Sequence, residues 1–174
     1  MTKTVFDFNV GDTNFIALVN PDRYNSFVDE NWDLSILKEH FLAETKEGNI
    51  LVLQMTEEGI ESDWKIQIDF DTQKNTSGYQ EDVGYICVTD KRLCFVEYTC
   101  LTMAAQFSDH MIPDKYCEKF VFKIENGIYK VDIIKYFDVD NDKHTGRKDI
   151  DLLLNFTKVT NIKNASPKIY WNTF

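Results

Sequence analysis

The residues whose spacing most directly suggests chemistry are the aspartates between positions 138 and 149. Asp138, Asp140 and Asp142 place carboxylates at every second position, and Asp149 completes a segment of twelve residues. Acids at alternate positions of a curled loop can converge on a hard cation such as Ca²⁺, which prefers oxygen ligands. The spacing therefore makes this segment a candidate metal site, with calcium as the possible ion.

The same segment departs from a calcium loop at positions that matter for the ion. It looks like an EF-hand-type or dockerin-type loop, but Lys143 stands where a glycine makes the sharp turn, and Asp149 replaces a bidentate glutamate. The other interpretation is a hairpin over residues 131–156 with a charged turn, in which Ile134 and Tyr136 face inward and the aspartates face outward. We therefore expect no bound cofactor, and calcium stays open as the alternative.

A catalytic set is not evident in the sequence. Ser108, Asp109 and His110 are nearly adjacent, whereas the members of a catalytic triad come from separate elements that converge in space. The chain has 7 glycines, dispersed singly, and contains no nucleophile elbow, phosphate-binding loop or H-E-x-x-H motif. We predict that the protein is not an enzyme. The alternative is a small-ligand-binding protein, or an enzyme that uses two carboxylates roughly 5–10 Å apart.

The cysteines indicate a reducing compartment. There are four of them, Cys87, Cys94, Cys100 and Cys117, and none forms a C-x-x-C pair. No secretory apolar segment precedes them, and no apolar run approaches the ~20 residues that span a membrane. We expect a cytoplasmic protein whose thiols are reduced and buried as small hydrophobic groups. A zinc site built from cysteines alone is not expected.

Charge is distributed unevenly along the chain. The formal net charge is −10, and residues 1–82 hold 17 acidic against 6 basic side chains, while the remainder is nearly balanced. An acidic surface repels the phosphates of nucleic acids. It raises the rate of encounter with a basic protein, although acidity can equally serve solubility alone. The expected partner is therefore a basic protein, and neither a nucleic acid nor a membrane.

The acidic side chains most suited to contact such a partner lie in two polar stretches. The first follows the strand predicted at residues 49–55, and the second lies within residues 71–82, which we predict to be a mobile loop. Each of these acids is also typical of a solvated turn. The candidate contact residues are Glu57, Glu58, Glu61 and Asp63, with Asp71, Glu81 and Asp82 nearby.

One long helix is predicted over residues 33–47. Leu34, Leu37 and Phe41 recur at spacings of three and four residues, which is typical of the buried face of a helix. Asn31 or Asp33 can cap its N-terminus, and Gly48 stands where a left-handed C-cap belongs. Residues 101–107 fit either a second short helix or the end of a strand.

The remaining elements are predicted to be strands. Turn chemistry predicts hairpins over residues 4–19, 84–105 and 120–133. Residues 49–55 are nearly all apolar, as in a central strand that is covered on both faces. Residues 64–70 and 150–156 are further strands, and the aromatic tail from Asn161 is expected to dock on the body of the protein. The prediction is one α+β domain over residues 1–174, a predominantly antiparallel sheet or sandwich with the helix packed on it.

The order of these elements resembles a class of small bacterial proteins. The residues that carry the likeness are Trp32-Asp33-Leu34, His40-Phe41, Ile50–Leu53, Trp64-Lys65-Ile66, Leu101–Phe107, Ile112-Pro113 and Gly127–Val131. They are similar to the acidic single-domain immunity proteins that neutralise polymorphic toxins, including those of contact-dependent inhibition. The resemblance implies a cytosolic inhibitor that forms a one-to-one complex with a basic toxin domain, often a nuclease, and blocks it by occlusion.

Overall fold

The computed structural model describes residues 3–163 and 166–173, and it contains two principal β-sheets. The strands are β1 (Thr4–Phe8), β2 (Phe15–Val19), β3 (Ile50–Gln54), β4 (Trp64–Phe70), β5 (Gln80–Val88), β6 (Arg92–Glu97), β7 (Val121–Lys123), β8 (Gly127–Lys135), β9 (Phe137–Asp138), β10 (Lys143–His144) and β11 (Leu152–Val159). The helices are α1 (Leu34–Lys46) and α2 (Tyr98–Gln106), and a single 3-10 turn spans Glu118–Phe120.

The two sheets face each other across the core. One has five strands in the order β1-β4-β11-β8-β5, and the other has four in the order β3-β2-β6-β7. All pairs are antiparallel except β4 with β11. Rings from the two sheets contact each other, as Phe122 of β7 does with Phe156 of β11 at 5.9 Å between centroids. The predicted α+β class, with antiparallel strands predominating, is confirmed.

The three predicted hairpins are wrong in their pairing. β1 pairs with β4 while β2 pairs with β3 and β6, so the two strands lie in opposite sheets. The same holds for β5 and β6, and for β7 and β8. Turn residues indicate that the chain reverses direction. They do not indicate whether the two strands pair in one sheet or lie in opposite sheets that face each other. Strands as apolar as β2, whose last four residues are all buried, gain more burial by facing another strand across a core.

Helix α1 confirms the predicted helix and its boundaries. Asp33 is the N-cap, and its carboxylate accepts a hydrogen bond from the Ile36 amide at 2.8 Å. Gly48 follows the helix with a φ of +72°, which a glycine adopts without steric cost. Leu37 and Phe41 are buried, and the helix contacts β3. The undecided segment 101–107 is mainly helical, within α2.

Strand β3 is buried along its whole length but is not central. It lies at the edge of the four-stranded sheet, and the C-terminal tail covers that edge. The Tyr170 amide donates to the Val52 carbonyl at 2.9 Å, and the Gln54 amide donates to the Tyr170 carbonyl at 3.0 Å. The docking predicted for the tail is therefore confirmed over its described residues. Phe174 lies outside them.

The hairpin predicted over residues 131–156 is present. Strands β8 and β11 pair in antiparallel register, with Lys135 opposite Leu152, and the short strands β9 and β10 pair within the turn. Ile134 and Tyr136 are buried, but in a small cluster separate from the main core. The polar stretch 71–82 ends earlier than predicted, because β5 begins at Gln80. No helix in the described part of the chain is both long and apolar enough to cross a bilayer.

Candidate functional site: an acidic loop between two clefts

The segment between β3 and β4 presents most of the predicted contact residues. We call residues 57–63 the acidic loop. Glu57, Glu58, Glu61 and Asp63 are all exposed there. Gly59 has a φ of +76°, and the Ile60 side chain beside it is 41% exposed. The loop therefore displays four carboxylates around one accessible apolar side chain.

A single carboxylate fixes the start of the acidic loop. Asp140, in the turn between β9 and β10, accepts hydrogen bonds from the Thr56 hydroxyl and from the amides of Glu57 and Glu58, the last two at 2.9 Å. Burial raises the pKa of Asp140, but these hydrogen bonds and the charge of Lys135 outweigh it and hold the pKa below its ordinary value. Asp140 is therefore ionised at neutral pH and stabilises this backbone conformation.

Other contacts fix the middle and the end of the acidic loop. The Thr13 side chain is 3% exposed, and its hydroxyl donates to the Ser62 carbonyl at 2.6 Å. The Ile60 amide donates to the Thr56 hydroxyl at 3.2 Å. The backbone of the acidic loop is thus bound at both ends to separate parts of the fold, which leaves its acidic side chains as the groups facing solvent.

A buried lysine lies behind the loop. Lys135 is 4% exposed, and its ammonium donates to the Met55 carbonyl at 3.3 Å. The same group lies 4.7 Å from the ring centre of Trp171 and 5.5 Å from that of Tyr79. Burial lowers the pKa of Lys135 to about 8, against the opposing charges of Asp140 and other nearby carboxylates. The lysine therefore balances the acidic surroundings of the loop at the cost of burying a charge.

The C-terminal tail completes this arrangement. The Gln54 side-chain amide donates to the Thr56 carbonyl and to the Thr173 hydroxyl, both at 2.8 Å. Its oxygen accepts from the Thr173 amide at 3.0 Å. Trp171, which covers Lys135, has a φ of +59°, a backbone conformation that residues other than glycine adopt rarely. These contacts link the tail to the base of the acidic loop.

Two clefts flank the acidic loop. The first has a volume of about 240 Å³, and Glu57 and Gly59 of the acidic loop line it. Its other lining residues are Asp12, Asn14, Phe15, Leu34, Thr56 and Tyr98. The rings of Phe15 and Tyr98 lie 5.3 Å apart. The second, of about 310 Å³, is lined by Glu61, Ser62 and Asp63 together with residues 9–11 and Thr13. In the first cleft, carboxylates together with aromatic rings suit an arginine or lysine side chain.

The other three predicted contact residues lie elsewhere. Asp71 follows β4, while Glu81 and Asp82 are in β5. Glu81 forms an ion pair with Lys74, and this hydrogen bond is the main reason why the pKa of Glu81 is lowered. Asp82 forms an ion pair with Lys168 at 2.5 Å. The structure thus brings together four of the seven predicted acids and places the rest on other elements.

The aspartates of the candidate calcium segment have separate roles in the fold. Asp138 accepts from the Asn141 side chain at 2.9 Å, Asp140 binds the acidic loop, and Asp149 forms an ion pair with Arg147. Within residues 3–163 and 166–173, no three of the four carboxylates, that of Asp142 included, are grouped closely enough to share a cation. The expectation of no bound cofactor, with calcium as the alternative, stays a prediction.

A third cleft offers space for a small ligand. It has a volume of about 340 Å³ and lies on the outer face of the five-stranded sheet, under the loop that follows β4. Arg147 lines it, but donates its hydrogen bonds to Gln67 and Asp149. The most suitable charged group in this cleft is therefore already engaged within the protein.

Sequence reasoning missed how the loop is supported. Lys135 and Thr13 were not singled out, and Asp140 was predicted only as a possible calcium ligand. All three act through contacts with residues far away in the chain. One signal was available: Val131, Ile133 and Lys135 occupy alternate positions of β8, so Lys135 falls on the face that is otherwise buried. A charged residue at a core-facing position is rare and is a reason to look for a site around it.

Lys135 gives the protein a measurable pH dependence. Its pKa is lowered from 10.5 to about 8. Between these two pH values the unfolded chain therefore binds more protons than the folded protein does. The free energy of unfolding is expected to rise with pH across this range. The full difference corresponds to about 3 kcal/mol.

Urea denaturation at several pH values should show this rise in the wild type relative to Lys135→Met. Lys130→Met, which alters an exposed ion pair on the same strand, should retain it. Parallel curves for wild type and Lys135→Met would contradict the assignment.

Comparison with known proteins finds similarity at the level of fold. No family model matches the sequence, and no curated protein matches it either. The solved structure "Crocagin biosynthetic gene J" is 13% identical, with a TM-score of 0.57 over 91% of this chain and 99% of that one. ComJ from Bacillus subtilis, an inhibitor of the DNA degrading activity of NucA, is 8% identical, with a TM-score of 0.46 over 91% of this chain and 96% of its own. The first likeness shows that this fold exists in another solved protein.

Proposed function

We propose that this protein binds a basic protein through the acidic loop and inhibits it by occlusion. The observation that carries the proposal is the binding of the loop by Asp140, whose one carboxylate accepts three hydrogen bonds from the Thr56 hydroxyl and the next two amides. Four exposed carboxylates are thereby presented on a backbone that is already ordered. A surface that is ordered before binding loses less conformational entropy on association, so more of the contact energy appears as affinity.

The chemistry of the loop and its clefts suits a partner rich in arginine and lysine. Its carboxylates accelerate the encounter with a positively charged surface. The cleft beside Phe15 and Tyr98 offers aromatic rings to a basic side chain, with Asp12 and Glu57 at its rim. Ile60 adds an accessible apolar contact between the clefts. Together these features resemble an interface in which a few desolvated side chains provide the affinity and charges provide the specificity.

The class of partner that we propose is a toxin domain that acts on nucleic acid. Such a domain carries a basic surface that binds phosphates, and a loop of carboxylates on a fixed backbone would compete for that surface. The resemblance of the order of elements to that of immunity proteins supports this choice, and such an inhibitor requires no catalytic group.

The test is to isolate the partner and then to measure inhibition. The tagged protein is incubated with a lysate of its source organism at low and at moderate salt, and the captured proteins are identified by mass spectrometry. We expect one basic protein in stoichiometric amount at low salt and less of it at moderate salt. Added to that purified partner, the protein should abolish its activity at a one-to-one ratio. Capture of nothing at either salt, or capture without inhibition, would contradict the proposal.

A further inference from the structure

A second cluster of reactive side chains lies beside the first turn of α2. Cys100 is in the first turn of α2, and His110 and Asp114 are in the segment that follows the helix. One possible ligand atom from each of the three residues lies within 4.8 Å of the other two. The cluster combines a thiol, an imidazole and a carboxylate, which are the three kinds of group that bind zinc in proteins.

Cys117 supplies a fourth donor beside this cluster. It is fully buried, and its thiol is hydrogen-bonded to that of Cys100, which together with burial raises the pKa of Cys117. Cys94 lies outside the set, because its thiol donates to the Val19 carbonyl. In the sequence, three residues separate His110 from Asp114 and two separate Asp114 from Cys117. Gaps of this length are typical of the ligand pairs in structural zinc sites.

The hydrogen bonding of His110 and Asp114 is compatible with a role as ligands. The Nε2 atom of His110 is buried and has no hydrogen-bond partner among the described residues, which is costly for an imidazole nitrogen. Oδ1 of Asp114 accepts hydrogen bonds from the amides of Tyr116 and Cys117, at 3.1 and 2.9 Å. These bonds fix the carboxylate and leave Oδ2 as the oxygen for a ligand bond. Support of a ligand by outer hydrogen bonds is a regular feature of metal sites.

We propose that Cys100, His110, Asp114 and Cys117 form a structural zinc site. Two sulfurs, one nitrogen and one oxygen satisfy the four-coordinate preference of Zn²⁺, and the thiols disfavour the hard ions Ca²⁺ and Mg²⁺. With Cys117 as the fourth ligand, every coordination position would be filled by a protein atom, as in sites that stabilise a fold and do not catalyse a reaction. The proposal goes beyond the proposed inhibitor function and does not depend on it.

The site would order a segment that is otherwise weakly packed. Residues 107–117 connect α2 to the 3-10 turn, and Met111 and Tyr116 are 73% and 61% exposed. Three of the ligands, His110, Asp114 and Cys117, lie within this segment, and the fourth, Cys100, lies on α2. A metal ion bound by all four would therefore join these elements and stabilise the folded state by an amount that grows with the logarithm of its concentration over its dissociation constant.

Cobalt substitution of the full-length reduced protein tests the proposal. Titration of the metal-free protein with Co²⁺ should produce, at one equivalent, the visible bands of tetrahedral cobalt and a near-ultraviolet thiolate charge-transfer band, and Zn²⁺ should remove both. His110→Gln and Asp114→Asn should weaken Co²⁺ binding by at least about 10- to 100-fold. His40→Gln and Cys87→Ser should bind as the wild type does. His40 is a matched control, because its Nε2 is also buried without a partner among the described residues.

Either of two results would overturn the proposal. The first is the absence of tetrahedral cobalt bands at one equivalent in the wild type. The second is their persistence at unchanged affinity in His110→Gln or Asp114→Asn. Far-ultraviolet circular dichroism verifies that each variant is folded, and Asp114→Asn retains the side-chain oxygen that caps the amides of Tyr116 and Cys117. Should His110→Gln fail to fold, Asp114→Asn therefore still decides the matter.

Discussion

Reversing the charge of Glu58 and Glu61 is expected to weaken binding of the basic partner by about 10- to 100-fold. Both side chains are exposed on the acidic loop, and neither forms an ion pair within the described residues. Their replacement by lysine therefore leaves the fold intact while turning attraction at the contact surface into repulsion. The rate of association should fall most, because long-range attraction acts on the encounter.

Surface plasmon resonance with the purified partner, at several salt concentrations, measures this effect. The matched control is Glu30→Lys/Glu39→Lys, which changes the net charge equally at two exposed acids outside the acidic loop. We expect the control to retain most of the affinity, and the loop variant to show a much weaker dependence on salt. Equal losses for the two variants would mean that net charge, and not the acidic loop, determines binding.

Replacement of Asp140 by alanine is expected to destabilise the protein by about 3 kcal/mol, because three donors then lose their acceptor. Those donors are the Thr56 hydroxyl and the amides of Glu57 and Glu58. The acidic loop should lose its fixed conformation, and the partner should bind more weakly although no contact residue has changed. Urea denaturation and hydrogen exchange of the loop amides measure the two effects separately.

Asp142→Asn is the matched control for Asp140→Ala. It removes the charge of an exposed carboxylate in the same turn, and asparagine tolerates the φ of +47° at this position, so it should leave both stability and loop exchange unchanged. The pKa of Asp140 is lowered from 3.8, so its contribution to stability is complete above that value and is lost as the pH falls below it. The difference in stability between wild type and Asp140→Ala should therefore shrink in acid. A loop that exchanges at the wild-type rate in Asp140→Ala would refute the role assigned to this carboxylate.

The features that could be predicted from sequence are local ones. The helix α1 and its caps follow from apolar spacing and from Asp33 and Gly48, which act on their immediate neighbours. The strand at residues 50–54 and the hairpin of β8 with β11 follow in the same way from apolar runs and turns. The exposure of the acidic loop is likewise local, because four acids within seven residues cannot be buried together without partners.

Pairing between strands could not be predicted by the same reasoning. The turns after β1, β5 and β7 each reverse the chain, yet each returns it to the opposite sheet. The choice depends on which apolar faces the whole core can cover, and alternation along one strand does not contain that information. Cys87 accordingly lies opposite Ile128 and Cys94 opposite Val121, and not opposite each other as a hairpin would place them.

By itself the sequence determined the class of fold, the position of the long helix, the asymmetry of charge and the four acids of the loop. The tertiary structure alone decided what holds that loop, because Asp140 lies 84 residues from Thr56 along the chain. It likewise decided that Cys100 approaches His110 and Asp114, and that Cys117 lies next to Cys100. The physical reason is that hydrogen bonds and ligand sets form between side chains that are close in space. Closeness in space between distant residues is set by how the sheets pack, and not by the local periodicity of the chain.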